Sequence, residues 1–181
     1  MRLLFLSVLA ILFLPSSVFA AAEMGQPFPV QLSLKDSNDQ VQRLEELRGD
    51  KGTVLVFVRS VDWCPYCQVQ LLDLRSDAGE VRELGYNIVS VSYDDPEKLK
   101  AFKDRYKFQY PMLSDEGSEV IKALDILNDE YDEDHFAYGV PHPTVYILGY
   151  DGTVQAILSE EGYKKRPQPA VIIETIKGLS E

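Results

Sequence analysis

Cys64 and Cys67 are the only two cysteines of the 181-residue chain, and they lie in the sequence Trp63-Cys64-Pro65-Tyr66-Cys67. Two thiols separated by two residues can interconvert between a dithiol and a disulfide through thiolate attack. The spacing therefore predicts a redox-active pair, with Trp63, Pro65 and Tyr66 as supporting residues.

The residues around this pair predict a strand-to-helix turn. The β-branched apolar run 54–58 is typical of a buried strand. Pro65 lacks an N–H and suits the first position of a helix, which makes Cys64 the N-cap. An N-cap sulfur faces unsatisfied amides and the positive end of the helix dipole, so the thiolate of Cys64 is favoured as the nucleophile. Cys67, one turn later on the same face, is the expected resolving thiol.

Other interpretations of the pair are weaker. A purely structural disulfide closing four residues would restrict the unfolded chain by only roughly 2 kcal/mol. A zinc site needs further ligands, and the sequence offers only His135 and His142, which are separated by six residues. An inert reduced pair does not suit an oxidising compartment. We predict no metal and no other cofactor.

The N-terminus has the pattern of a secretory signal. Arg2 precedes the apolar stretch 3–14, and small residues at 18–22 offer a cleavage site. We predict a signal peptide at 1–20, cleaved between 20 and 23, and a single domain over 23–181. The mature protein is expected to be soluble, in a periplasm or outside the cell. A retained membrane anchor is the alternative, although the apolar stretch is short for a span.

Charge excludes one class of partner. The formal net charge is −11, which disfavours nucleic acid. The densest acidic run, 129–134, lacks the ligand spacing and central glycine of an EF-hand loop. It is expected to be a solvated loop.

The remaining pattern predicts alternating strands and helices. Strands are expected at 28–35 (with a hairpin to Val41), 54–59, 86–93, 110–113, 145–148 and 153–158. Helices are expected at 65–84, from Pro96 onward, at 117–127 and at 170–179. Together they indicate an α/β fold, a central mixed sheet flanked by helices with an N-terminal β-hairpin extension.

With Trp-Cys-Pro-Tyr-Cys at a strand-to-helix turn, this order resembles the thioredoxin fold. The early hairpin, the long helix after the cysteines, and the stretch 139–148 followed by Asp151-Gly152 resemble the redoxin branch more narrowly. That branch holds the alkyl hydroperoxide reductase/thiol-specific antioxidant family and its peroxiredoxin-like relatives.

The resemblance implies a cis-proline facing the disulfide. Pro143, just before Thr144 and a strand, is the best match, and Pro141 is the alternative. His142 is then either a proton carrier near the sulfurs or an ordinary loop histidine.

The sequence departs from the family at the peroxide pocket. Peroxiredoxins have a proline seven residues and a threonine or serine three residues before the peroxidatic cysteine, whereas this chain has Phe57 and Val61, with Ser60 one residue out of register. The buried aspartate of thioredoxins, six residues before the first cysteine, is replaced by Val58. Arg59 is the nearest cation in the sequence, and it either favours the thiolate of Cys64 or is a surface charge.

These departures favour disulfide exchange. The predicted function is an exported thiol-disulfide oxidoreductase acting on protein disulfides, with a thiol-dependent peroxidase acting on hydroperoxides as the alternative. Either activity needs a separate thiol-disulfide partner for recycling. A more remote alternative is a copper-binding or delivery module, because two thiolates suit Cu(I).

Overall fold

The computed structural model describes residues 21–160, 162 and 164–179. The predicted signal peptide lies outside this range. Within it, one mixed sheet contains seven strands. Their bounds are β1 Ser33–Asp36, β2 Val41–Arg43, β3 Gly52–Phe57, β4 Tyr86–Ser92, β5 Met112–Ser114, β6 Thr144–Gly149 and β7 Val154–Ser159.

The strand order in the sheet is β2-β1-β5-β4-β3-β6-β7. The central strand β3 pairs in parallel with β4 and antiparallel with β6. β1 and β2 form an antiparallel pair, and β1 joins the sheet through β5. The segment containing the cysteines therefore leaves the middle of the sheet, at the end of a strand that is buried throughout.

Helices cover both faces of the sheet. The described α-helices are α1 Pro65–Glu83, α2 Pro96–Tyr106, α3 Glu119–Ala123 and α4 Pro169–Gly178. Residues of α1, α2 and α4 share one buried cluster, and residues of α3 belong to a second cluster on the opposite face. The predicted α/β thioredoxin-like architecture is confirmed.

Alternation along β3 explains the two cores. Val54 and Val56 point into the cluster beneath α1, whereas Leu55 and Phe57 point into the cluster that contains α3. All six residues of β3 are buried. Burial on both faces is why this strand is a continuous apolar run in the sequence rather than an alternating one.

Several element bounds differ from the predictions by one or two residues, and two elements differ by more. The helix expected at 117–127 ends at Ala123, because Asp125 has a left-handed φ of 56° that does not continue a helix. The first strand begins at Ser33 rather than at residue 28. No helix in the described ranges is long and apolar enough to cross a membrane.

Candidate active site

Cys64 is the N-cap of α1, with an extended backbone at φ −96° and ψ 99°. Its Sγ accepts a hydrogen bond from the backbone N–H of Cys67 at 3.3 Å, and Pro65 occupies the first helical turn. The two cysteines form a disulfide with their Cα atoms 5.3 Å apart. The helix therefore starts where the sequence predicts, with the sulfur of Cys64 directed at the first turn.

The disulfide is shielded from solvent. Cys64 is 2% exposed and Cys67 is 0% exposed, whereas Tyr66 between them is 40% exposed. Both sulfurs are therefore buried in the oxidised state, and their exposure does not distinguish a nucleophile from a resolving thiol.

Arg166 contacts both sulfurs and is not among the residues that the sequence singles out. Its Nη2 lies 3.8 Å from Sγ of Cys64 and 3.6 Å from Sγ of Cys67. Its Nη1 donates to the carbonyl of Lys165 at 2.6 Å, which fixes the guanidinium against its own backbone. Burial lowers the pKa of Arg166 to about 10, and the positive charge of Arg59 acts in the same direction. At neutral pH the side chain is still a cation.

Little in the sequence points to this residue. Arg166 follows Cys64 by 102 positions. Its segment, 164–167, is a run of three cations and a proline just before α4. Such a run has the composition of a solvated linker, and only the packing of α4 against α1 brings it to the disulfide.

Arg59 is buried rather than a surface charge. Its Nη2 donates to the hydroxyl of Tyr131 at 2.6 Å, and its guanidinium carbon lies 5.1 Å from the ring centres of both Trp63 and Tyr131. Arg166 lies within hydrogen-bond reach of both sulfurs. Arg59 contacts Trp63, and its positive charge lowers the pKa of Arg166.

Trp63 is held by two aromatic neighbours, Tyr93 directly after β4 and Phe136 in the loop before β6. Its Nε1 donates to the hydroxyl of Tyr93 at 2.8 Å, and this hydroxyl donates to the carbonyl of Phe136 at 3.2 Å. The Phe136 ring packs edge-on against Trp63 at 5.1 Å and is 71% exposed. Trp63 thus links the loop before Cys64 to the end of β4 and to the loop before β6.

Asp94 holds the loop that precedes Cys64. This buried carboxylate accepts hydrogen bonds from the Ser60 hydroxyl and the Val61 N–H, each at 2.7 Å, and from the Ser92 hydroxyl at 2.7 Å. Burial raises the pKa of Asp94 above its ordinary value of 3.8, while these hydrogen bonds oppose the shift. Sequence reasoning missed Asp94 because its role depends on β4 lying beside β3.

The implied cis-proline is wrong in this structure. Among the described residues there is no cis peptide bond, so both Pro141 and Pro143 follow trans bonds. Trans is the ordinary state before proline. An antiparallel bridge between Leu127 and Pro141 precedes β6. Pro143 is buried and precedes Thr144, which pairs with Phe57 at the cysteine end of β3.

The two histidines contact groups other than the disulfide. His135 stacks on Tyr131 at 4.7 Å and accepts the N–H of Ala137, and His142 lies 3.7 Å from a carboxylate oxygen of Asp129. In the described part of the chain, no group of three or more His, Cys, Asp or Glu residues is arranged to hold a metal ion. Nothing in this geometry supports the copper-binding alternative.

Comparison with known proteins decides the family. The model of the AhpC/TSA family matches residues 24–157, which is most of the described chain. The chain belongs to the AhpC/TSA family. Its match spans the sheet up to β7, whereas Arg166 and α4 follow the matched region.

Relatives of this AhpC/TSA protein include plant peroxiredoxins. It is 32% identical over 164 residues to the chloroplastic peroxiredoxin Q of Gentiana triflora, covering 90% of this chain and 69% of that protein. It is 31% identical over 163 residues to the chloroplastic peroxiredoxin Q of Arabidopsis thaliana, with the same coverage of 90% and 69%. The family and these relatives make the chain an oxidoreductase of the peroxiredoxin kind.

Solved structures support the fold. The peroxidoxin BcpB of Mycobacterium tuberculosis aligns with a TM-score of 0.72 at 22% identity, over 87% of this chain and 99% of that one. A PrxQ mutant of Xylella fastidiosa aligns with a TM-score of 0.74 at 14% identity, over 90% and 99%.

Two positions lack the peroxide-pocket residues that the family resemblance implies. Phe57 and Val61, at the positions of the peroxide-pocket proline and threonine, are 0% and 2% exposed and pack into the core. Their side chains contribute no polar group toward the sulfurs. The contact that does reach the sulfurs comes from Arg166, beyond the region that the family model matches.

Proposed function

We propose that this protein is an exported thiol-dependent peroxidase, with Cys64 as the peroxidatic cysteine and Cys67 as the resolving cysteine. The single observation that carries the proposal is a Cys64–Cys67 disulfide at the N-terminus of α1, with the Arg166 guanidinium within reach of both sulfurs. The peroxiredoxin Q relatives favour peroxide over protein disulfides as the oxidant. One solved relative, the bacterioferritin comigratory protein of Xanthomonas campestris, is described as having alkyl peroxide reduction activity.

The first chemical step takes place at Cys64. The thiolate attacks the terminal oxygen of the hydroperoxide, so that an S–O bond forms, the O–O bond breaks and the alcohol leaves after taking a proton. Two electrons pass from sulfur to the peroxide, and Cys64 becomes a sulfenic acid. A guanidinium is a fixed cation with directed N–H groups, so Arg166 stabilises the attacking thiolate.

The second step restores the observed disulfide. The Cys67 thiolate attacks the Cys64 sulfur, the S–S bond forms and hydroxide leaves as water after taking a proton. Because the two Cα atoms are 5.3 Å apart and joined within one helical turn, this step needs little backbone movement. A separate dithiol partner then reduces the disulfide and is itself oxidised.

Stopped-flow oxidation of the reduced protein tests this function. Trp63 is the only tryptophan of the chain and adjoins Cys64, so its fluorescence should report each step. Stoichiometric hydrogen peroxide or cumene hydroperoxide should produce one disulfide per molecule, much faster than it oxidises a free thiol. If protein disulfides oxidise the pair rapidly while both peroxides react no faster than a free thiol, the protein is a disulfide exchanger instead.

Export is a part of the proposal that rests on residues 1–20. The pattern of Arg2, the apolar stretch 3–14 and the small residues at 18–22 supports a cleaved signal. Expression of the full chain in a bacterium, followed by fractionation and intact mass measurement, should yield a protein that begins between residues 21 and 23 outside the cytoplasm. Full-length protein confined to the cytoplasm would contradict export without affecting the chemistry.

A further inference from the structure

Gln70 is a polar side chain on the buried face of α1 and takes no part in the chemical steps at the two cysteines. The buried residues of this helix follow helical spacing, and they are Cys67, Gln70, Leu71, Leu74 and Val81. Gln70 is 4% exposed, at a position where this spacing favours an apolar side chain. Because a buried amide lowers stability unless it is hydrogen-bonded, its presence here indicates a role other than packing.

The Gln70 amide joins α1 to the segment that carries Arg166. Its Nε2 donates to the carbonyl of Pro167 at 3.3 Å, and this hydrogen bond is buried. Its Oε1 is also buried and has no hydrogen-bond partner in the described part of the chain. The oxygen therefore lowers stability, and the hydrogen bond to Pro167 is what the amide contributes.

Two consecutive turns of α1 contact two consecutive residues of this segment. Gln70 follows Cys67 by three positions, so the two side chains lie on one face of the helix. Sγ of Cys67 lies 3.6 Å from Nη2 of Arg166, and the Gln70 amide binds the carbonyl of the next residue, Pro167. Arg166 and Pro167 are both buried. The segment is thus held against α1 at a second point, one turn beyond Cys67.

Residues 164–168 lie outside the strands and helices, so their geometry depends on side-chain contacts. The carbonyl of Lys165 accepts Nη1 of Arg166, and the carbonyl of Arg166 accepts Nε2 of Gln168. Both of these contacts are internal to the segment, whereas the hydrogen bond from Gln70 reaches it from another element. Neither partner of that hydrogen bond is a sulfur atom, so it remains available when the cysteines are reduced.

We propose that Gln70 is a positioning residue, which holds Arg166 beside the sulfurs and thereby strengthens the stabilisation of the Cys64 thiolate. The inference deepens the proposed peroxidase function and rests on it for its catalytic consequence. A cation stabilises a thiolate only while it stays close to the sulfur. Without the amide of Gln70 the segment can move away from α1, and the guanidinium then spends part of its time away from Cys64. The amide thus acts on the reaction through Arg166 alone.

Gln70→Met tests this role, because methionine has a similar length and no N–H donor. The thiolate absorbance of the reduced protein, titrated against pH, gives the acid ionisation constant of the cysteine that ionises first. That constant should fall about threefold to tenfold, as expected for the loss of one hydrogen bond between neutral groups. The rate of oxidation by hydrogen peroxide, followed by Trp63 fluorescence, should also fall. Stability toward urea should change little, because the variant also removes the buried oxygen that has no partner.

The same substitution in the Arg166→Gln background shows whether Gln70 acts through Arg166. The effects of two substitutions that act through one interaction are not additive. In this background Gln70→Met should therefore leave the ionisation constant unchanged. An unchanged constant in the single variant Gln70→Met, or an equal fall with and without Arg166, overturns the inference.

Gln68→Met is the matched control, because Gln68 is also an amide of α1 but contacts a different segment. Its Nε2 donates to the carbonyls of Val61 and Asp62, at 2.8 and 3.0 Å, in the loop before Cys64. Its effect on the ionisation constant should be the same with and without Arg166. If Gln68→Met depends on Arg166 as strongly as Gln70→Met does, the coupling is not specific to Gln70 and the assignment is overturned.

The titration uses no peroxide, so this inference and the peroxidase function can fail separately. Slow peroxide oxidation of the unmodified protein, with the coupling between Gln70 and Arg166 intact, would overturn the peroxidase and leave the positioning role. Rapid oxidation without the coupling would do the reverse. Gln70→Asn serves if Gln70→Met fails to fold: the amide stays polar but is one methylene too short for the carbonyl of Pro167, and the same dependence on Arg166 is expected.

Discussion

Arg166 is positioned to stabilise negative charge on either sulfur. Its Nη2 is 3.8 Å from Cys64 and 3.6 Å from Cys67, so one guanidinium can serve the attacking thiolate in the first step and the resolving thiolate in the second. Hydrogen bonds to charged groups contribute about 1.5–3 kcal/mol, which is more than a neutral pair contributes. We therefore expect the residue to act on thiolate reactivity as well as on packing.

Replacement of Arg166 by Gln should slow the reaction of Cys64 with hydrogen peroxide about tenfold to a hundredfold, following that free energy. Ultraviolet absorbance of the thiolate, titrated against pH, should show Cys64 ionising at higher pH in the variant. Arg166→Lys should restore part of the rate, because it keeps a charge but loses the planar fork. An unchanged thiolate titration in Arg166→Gln would show that the residue is structural.

The two cysteines should give different products when each is replaced by Ser. Cys64→Ser should lose peroxide oxidation altogether, because Cys64 is the N-cap of α1 and its thiolate is the one that the helix N-terminus favours. Cys67→Ser should still consume one peroxide and accumulate a sulfenic acid at Cys64, detected by mass spectrometry with a sulfenic-acid reagent. The same product from both variants would mean that the roles are not divided in this way.

At the scale of elements, Asp94 joins β4 to the loop that presents Cys64. The carboxylate accepts three hydrogen bonds from Ser60, Val61 and Ser92, and the Ser60 hydroxyl oxygen in turn accepts the N–H groups of Asp62 and Trp63 at 3.0 and 3.3 Å. The Asp94 carboxylate thus connects the end of β4 to the loop that follows β3 and precedes Cys64. This arrangement fixes the start of α1 relative to the sheet.

Asp94→Asn should lower the free energy of unfolding by about 1–3 kcal/mol, because an amide has one accepting oxygen where the carboxylate has two. It should also change Trp63 fluorescence and slow the reaction of Cys64 with peroxide, because the loop before the cysteine loses a hydrogen bond. Asp115→Asn is a matched control: this buried carboxylate accepts the N–H groups of Val120 and Ile121 at the start of α3, in the other buried cluster. Asp115→Asn should lower the free energy of unfolding by a similar amount without slowing the reaction of Cys64 with peroxide. If that reaction is equally fast in both variants, Asp94 does not have the proposed role.

At the scale of the whole molecule, the sequence determines what is local and leaves open what depends on packing. The start of α1 at Pro65 follows from the chemistry of proline and an N-cap, and the buried run in β3 follows from its position between two helical layers. Arg166 and Asp94 could not be assigned in this way, because one reaches the site through helix packing and the other through strand order. The family resemblance predicts a cis peptide bond before Pro143, whereas the structure has a trans bond there.

The stability of the whole protein should increase as the pH falls from neutral toward about 4.5, near the ordinary pKa of carboxyl groups. Burial raises the pKa of Asp94 and of Asp115, so the folded state binds these protons more tightly than the unfolded state does. Their contribution to stability is greatest below the unfolded pKa of 3.8 and is lost as the pH rises through the folded pKa values. The net charge of −11 acts in the same direction, because protonation relieves repulsion in the compact state. The carboxylates whose pKa is lowered, Asp95, Asp104 and Asp151, act the other way only below about 3.8.

Urea unfolding across this pH range, at low and at high salt, separates the two causes. Salt screens repulsion between surface charges but acts little on buried groups, so the pH dependence that survives at high salt should belong to the buried carboxylates. The double variant Asp94→Asn, Asp115→Asn should then lose this surviving part while keeping the salt-sensitive part. If the double variant keeps the whole pH dependence at high salt, the two aspartates are not its source; if stability falls steadily on acidification, the expected direction itself is wrong.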